Sequence, residues 1–173
     1  MFIELQSLIF VILAALAKKL NSFGSSIQYF IISLISSCFL LLAISLLYGM
    51  FGTVNLNYIF MIIDLLSSSY NFGWDFYTIF SLIIISVLIK MGSFPFFYWL
   101  PKVYDNSLMF ISSYFSTISF LAYFIFIFNF FINSIFLNLN SIDIFFISCL
   151  GSVFFGSMGL LYQIKINRFM AYN

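Results

Sequence analysis

The chain has 173 residues, of which 64% are hydrophobic and 6% charged, with no histidine and a net charge of +1, and its mean hydropathy is +1.18. A soluble domain carries about 25% charged residues, so this composition belongs to a chain folded in lipid, and the near-zero net charge argues against nucleic acid as a partner. Without histidine, and with two cysteines far apart at Cys38 and Cys149, the chain assembles no zinc, haem or iron–sulfur ligand set.

A bilayer core about 30 Å thick takes roughly 20 mostly apolar residues in helix. In chain order, five segments come near that length: about 2–17, 27–50, 76–101, 108–132 and 144–163. A sixth apolar stretch at 54–68 is shorter, is interrupted by Asn55, Asn57 and Asp64, and is expected to lie along the interface or under a loop. No segment shows the strand alternation of a barrel, so the backbone must be satisfied in helices. The predicted fold is all-α, a polytopic transmembrane bundle forming one membrane domain. Cys38 and Cys149 both sit inside apolar runs, where they read as small hydrophobes rather than a disulfide. The glycines in GSMGLLYQ at 156–163 read as helix-packing positions.

Five crossings sort the charges. Lys18, Lys19, Lys102, Lys165 and Arg168 fall on one side with Asp105, while Asp64, Asp75 and Asp143 fall on the other with no base. The positive-inside rule makes the basic side the cytoplasm or its equivalent, which in a mitochondrion is the matrix.

Two charges remain, Glu4 and Lys90. Glu4 lies 14 residues before Lys18, about 21 Å along a helix from the basic surface. Lys90 follows the uncharged run SLIIISVLI and precedes Gly92 and Pro95. An ionised group near the bilayer centre costs about 2.5–3.5 kcal/mol and usually faces a bundle interior or a wet cavity. Burial and an opposite charge act on a lysine's protonation in opposing directions, so a lysine held between them can exchange protons near neutral pH. A proline removes a backbone hydrogen bond and clashes with the preceding turn, which predicts a helix break near Gly92–Pro95. Broken helices at membrane depth line protein or water and recur at transporter sites. The alternative for the same residues is a snorkelling lysine followed by interfacial anchors at Tyr98, Trp99 and Lys102.

The stretch Lys90-Met91-Gly92-Ser93-Phe94-Pro95-Phe96-Phe97-Tyr98-Trp99-Leu100-Pro101 resembles the K-x-G-x-x-P-F-H-x-W-x-P signature of the antiporter-like subunits of respiratory complex I. Within that family the chain is most similar to the branch called subunit 2, or subunit N in bacteria. ELQSLIFVILAALAKK at 4–19 looks like its fifth helix, QYFIISLISSCFLLLAISLLYG at 28–49 its sixth, and GSMGLLYQIKINRFMAYN at 156–173 its segment ending in R-K-x-L-A-Y-S. The resemblance implies a proton-translocating core subunit in the membrane arm of NADH:ubiquinone oxidoreductase, an enzyme whose flavin, iron–sulfur clusters and ubiquinone are held elsewhere. It implies that Glu4 biases the protonation of Lys90, and that this chain binds no cofactor of its own. Expected partners are the other membrane-arm subunits, membrane lipids and a second polypeptide carrying the C-terminal half. The expected location is the mitochondrial inner membrane, which the strong Phe, Ile and Ser bias of an A+T-rich organellar genome also suits.

The chain departs from the family pattern. Phe97 stands for the histidine, Lys102 for an acid and Gln28 for a lysine, and an ungapped count puts Phe120 where a second buried lysine belongs. A bracing subunit that moves no protons, and a stand-alone cation/proton antiporter subunit, are the competing readings.

Overall fold

A computed structural model describes residues 2–16, 22–67, 74–135 and 141–172. Lys18 and Lys19 lie outside the described residues, as do the side chains of Asp64 and Asp75. Among those described there are nine α-helices: α1 Phe2–Ala15, α2 Ser22–Phe51, α3 Leu56–Ser67, α4 Trp74–Met91, α5 Leu100–Asn106, α6 Met109–Tyr114, α7 Phe120–Ile135, α8 Ser141–Leu161 and α9 Ile166–Tyr172. One 3-10 turn, Phe97–Trp99, leads into α5, and a π-helical turn, Phe115–Ser119, joins α6 to α7. The fold is a polytopic all-α membrane bundle. Ser22–Phe51, Met109–Phe130 and Asp143–Leu161 are long and apolar enough to cross a bilayer, and Ile3–Ala15 and Phe76–Met91 are shorter apolar helices.

α2 lies along both α1 and α4, α4 also touches α7 and α8, and α5 is held between α2 and α9. The largest core cluster joins Ala43 and Leu47 of α2, Ile59, Phe60 and Ile63 of α3, and Phe76 and Phe80 of α4 to Phe130 of α7. The segment expected at the interface is thus an amphipathic helix, with Ile59, Phe60 and Ile63 turned inward at helical spacing and Tyr58, Met61 and Leu65 outward. A second cluster of Phe10, Tyr29, Trp99, Tyr104 and Phe115 packs beneath the break. There the Tyr29 ring meets Phe10 edge-on at 5.0 Å and Trp99 at 4.9 Å, arrangements that favour aromatic pairs.

Serine is frequent in these apolar helices because its hydroxyl can turn back to the preceding turn. Ser33, Ser45 and Ser152 donate to the carbonyls of Phe30, Leu42 and Cys149 at 2.8 Å. Ser36 differs: its hydroxyl crosses to the Ser86 carbonyl at 2.9 Å and ties α2 to α4. Cys38 and Cys149 are unpaired and face outward.

Two expectations need correction. The segment 76–101 does not end at Leu100–Pro101; α5 begins there and continues to Asn106, so Lys102 and Asp105 stand on a helix rather than in a loop. Pro101 sits in the first turn of α5, where its missing N–H leaves nothing unsatisfied. The chain after 163 is also helical, as α9. Gly156 and Gly159 make room for it, since a Cβ on Gly159 would lie 2.4 Å from the Tyr172 ring.

Candidate functional site

Lys90 occupies the last turn of α4 and Glu4 the first turn of α1. The two helix ends meet there, and the Lys90 ammonium donates to the Glu4 carboxylate in a direct ion pair. Each charge suits its helix end, a cation among the last carbonyls and an anion among the first N–H groups. The partners differ in burial: the Lys90 side chain is 1% exposed and that of Glu4 37%. Lys90 therefore does not snorkel; its charge is met inside the bundle.

The backbone beyond Lys90 explains why α4 stops. Gly92 adopts φ +67°, its N–H bonds the Ile89 carbonyl and the Ser93 N–H bonds the Leu88 carbonyl, both at 3.2 Å. This is the Schellman ending, which satisfies the last carbonyls and favours glycine at the left-handed position. The space also demands glycine, because a Cβ on Gly92 would lie 2.1 Å from a Leu100 methyl. Pro95 lies four residues past the end of α4 at Met91, so the glycine terminates α4 and the proline follows. Beyond it, the Phe94 ring stacks at 4.9 Å on Phe155 of α8 and fits against Gly151, where a Cβ would approach it to 2.3 Å. Phe97 joins the same stack, 5.8 Å from Phe155.

Phe120 is not in the interior. It is 48% exposed. The π-helical turn just before it widens the helix by one residue, and the inward polar positions are Ser119 and Tyr123, each 1% exposed. Ser119 accepts from the Gln6 side-chain amide at 2.9 Å. Tyr123 packs with Val87 and Ile127 against Ile3 and Met91, the chain neighbours of Glu4 and Lys90. Gln6, Ser119 and Tyr123 carry no sequence signal, because a hydroxyl or amide among apolar residues shows no facing without the helix register.

A second charged cluster lies outside the membrane-spanning segments. Asp105 of α5 accepts from Lys165 at 3.1 and 3.2 Å and from Arg168 of α9 at 3.1 and 2.8 Å. Partial burial raises the Asp105 pKa, but the hydrogen bonds and charges of Lys165 and Arg168 outweigh it and hold the carboxyl below the usual range. Asn167 donates to the Tyr104 and Ser107 carbonyls at the end of α5. Lys102 lies over the Tyr98 ring, 4.6 Å from its centroid. Among the described residues no group of His, Cys, Asp and Glu is placed to hold a metal ion.

An apolar helical bundle with a lysine–carboxylate pair at an interrupted helix defines a polytopic membrane protein with a charged site in its interior. The chain belongs to the NADH:quinone oxidoreductase/Mrp antiporter transmembrane family, whose model matches residues 1–173. It is 33% identical to NADH-quinone oxidoreductase subunit N of Pelagibacter ubique, covering 99% of this chain and 36% of that protein. It is 30% identical to NADH-ubiquinone oxidoreductase chain 2 of Rhizopus oryzae, covering 99% of this chain and 32% of that protein. The chain thus spans about a third of the length of these curated relatives. A subunit of the membrane-bound sulfane sulfur reductase, an archaeal respiratory membrane complex, shares the fold with a TM-score of 0.81 at 21% identity, over 99% of this chain and 34% of that one.

Proposed function

We propose that this chain is a section of the subunit 2 (subunit N) component of NADH:quinone oxidoreductase and takes part in proton translocation in its membrane arm. The observation that carries the reading is the Lys90–Glu4 pair, buried on the lysine side and set at the end of an interrupted helix. In this reading Lys90 is the proton-exchanging group and Glu4 the charge that biases it, while Gly92 and Pro95 open the helix beside them. A proton leaving the ammonium converts an ion pair into a neutral amine beside a carboxylate, so any charge that displaces Glu4 shifts the lysine's proton occupancy.

The wider assembly follows from the same reading. α1, α2, α4 with the segment after its break, α6 with α7, and α8 are the five crossings. The basic ends, where Asp105, Lys165 and Arg168 cluster, face the mitochondrial matrix across the inner membrane. Other membrane-arm subunits and lipids cover the exposed apolar faces of α2 and α8, and flavin, iron–sulfur clusters and ubiquinone reside in other subunits. A bracing role without proton transfer is the second reading, favoured by Phe120 standing outside the interior.

The test is the intact assembly carrying Lys90→Met in vesicles, with NADH:quinone turnover and proton uptake recorded together. Methionine keeps the length and removes the charge. A drop in turnover or in protons per electron, at unchanged assembly, is expected. Wild-type values for both would leave a brace.

A further inference from the structure

Buried polar groups in a bilayer are few and are rarely left without a hydrogen-bond partner. Three such groups lie in the two core clusters that flank the break after α4. The hydroxyls of Tyr123 and Tyr29 and the Trp99 indole N–H are fully buried, and none has a hydrogen-bond partner among the described residues. Tyr123 enters from α7, packed on Val87 one turn before Lys90 and on the residues flanking both members of the pair. Tyr29 enters from α2, its ring against Trp99 at the break. The Glu4 carboxylate acts electrostatically on both hydroxyls, and Tyr123 on Tyr29. α1, α4 and α7 thus bring Glu4, Lys90 and Tyr123 to one end of the bundle core. Ordered water is the usual partner for such groups.

Phe120 narrows the choice of relay. Its exposed position rules it out as an interior barrier, while the π-helical turn leaves Ser119 and Tyr123 on the inward face. We propose that the Tyr123 hydroxyl, with the Tyr29 hydroxyl as the next group along the path, is the lateral proton relay next to Lys90 and replaces a second buried lysine in this chain. The proposal rests on the proton-translocating role of Lys90 given above. In each transfer a lone pair of the hydroxyl oxygen accepts a proton from the Lys90 side. The hydroxyl's own hydrogen then leaves to the next oxygen, a water or Tyr29, which regenerates the hydroxyl. No tyrosinate accumulates and no oxidant is needed. A neutral hydroxyl also avoids the charge burial cost of a second lysine.

The experiment uses the intact assembly in vesicles with Tyr123→Phe, beside Lys90→Met and the outward control Phe120→Leu. Protons moved per NADH oxidised, the solvent deuterium isotope effect on turnover and the amount of assembled complex are measured. Tyr123→Phe removes one oxygen, so assembly is expected to hold while protons per NADH fall and the isotope effect changes; Phe120→Leu is expected to behave as wild type. If Tyr123→Phe keeps the wild-type ratio and isotope effect while Lys90→Met lowers the ratio, the relay is overturned and the role of Lys90 stands. If neither variant changes the ratio, both fall. Should Tyr123→Phe lower assembly, Tyr29→Phe removes the next hydroxyl of the proposed path instead: a fall in protons per NADH supports the relay, and a wild-type ratio overturns it.

Discussion

Among the described residues there are two charged clusters, each joining segments far apart in sequence, and their surroundings differ. The Lys90–Glu4 pair links residues 86 positions apart with the lysine almost fully enclosed. The Asp105 cluster links α5 to Lys165 and α9 with Lys165 64% and Arg168 45% exposed. In an enclosed pair the desolvation cost rivals the attraction, so the pair is poor evidence of stability and removing one partner is expensive. An exposed pair costs little and contributes little. In the proposed function the first cluster serves proton exchange, while the second holds α9 against α5.

The largest expected effect breaks the enclosed pair from one side. Glu4→Gln leaves the Lys90 ammonium without its counter-charge, and the expected loss is about 3–5 kcal/mol. Lys90→Met leaves the more exposed Glu4 behind and is expected to cost less. The double variant should recover much of the stability of Glu4→Gln while staying impaired in proton transfer. Thermal unfolding of the assembled complex, with its steady-state amount, checks the order of the three. If Lys90→Met proves the more damaging single change, the asymmetry in burial does not govern the pair.

The next effect acts on the device that places Lys90. Gly92→Ala puts a Cβ into Leu100 and forces a left-handed conformation on an L-residue, at about 1–2 kcal/mol for the backbone and about 1–3 kcal/mol for overpacking. Reduced assembly and weakened coupling are expected together, and Leu100→Ala in the same chain should relieve the packing part. Failure of that rescue would mean the backbone conformation alone sets the cost.

How much of this was legible follows the same divide. A lone lysine after SLIIISVLI and a glutamate at membrane depth stand out against an apolar chain, and Gly92–Pro95 marks the break, so the members of the enclosed site were readable one by one. Their contact was not, since nothing local couples residues 86 apart; the family resemblance supplied it. A break near Gly92–Pro95 is readable from the proline, but that Gly92 ends the helix with its own hydrogen bonds is a feature of backbone geometry that proline statistics do not reveal. The ungapped count places Phe120 where the second lysine belongs but says nothing of its facing, and the π-helical turn at Phe115–Ser119 shifts which residues turn inward. The docking cluster was unreadable because α5 and α9 are only seven residues each, too short to show a periodic apolar face.

The smallest effect tests the exposed cluster by pH. The Asp105 pKa lies below the ordinary carboxylate range in the folded chain because Lys165 and Arg168 outweigh its partial burial. A depressed carboxylate pKa adds stability that is complete above the unfolded value and is lost as pH falls through the folded one. Docking of α9 on α5 should therefore be indifferent to pH near neutrality and loosen only in acid, seen as faster amide hydrogen exchange across Ile166–Tyr172. Asp105→Asn should reproduce the acid state at neutral pH, at a cost of about 1 kcal/mol or less. Arg168→Met should act more strongly than Lys165→Met, since Arg168 donates through two nitrogens and is the less exposed partner. Proton transfer at Lys90 should be unaffected by any of these changes, because the docking cluster touches neither Glu4 nor the end of α4. If Asp105→Asn lowers protons per NADH at unchanged assembly, the two clusters are coupled through α5, and the division drawn between them fails.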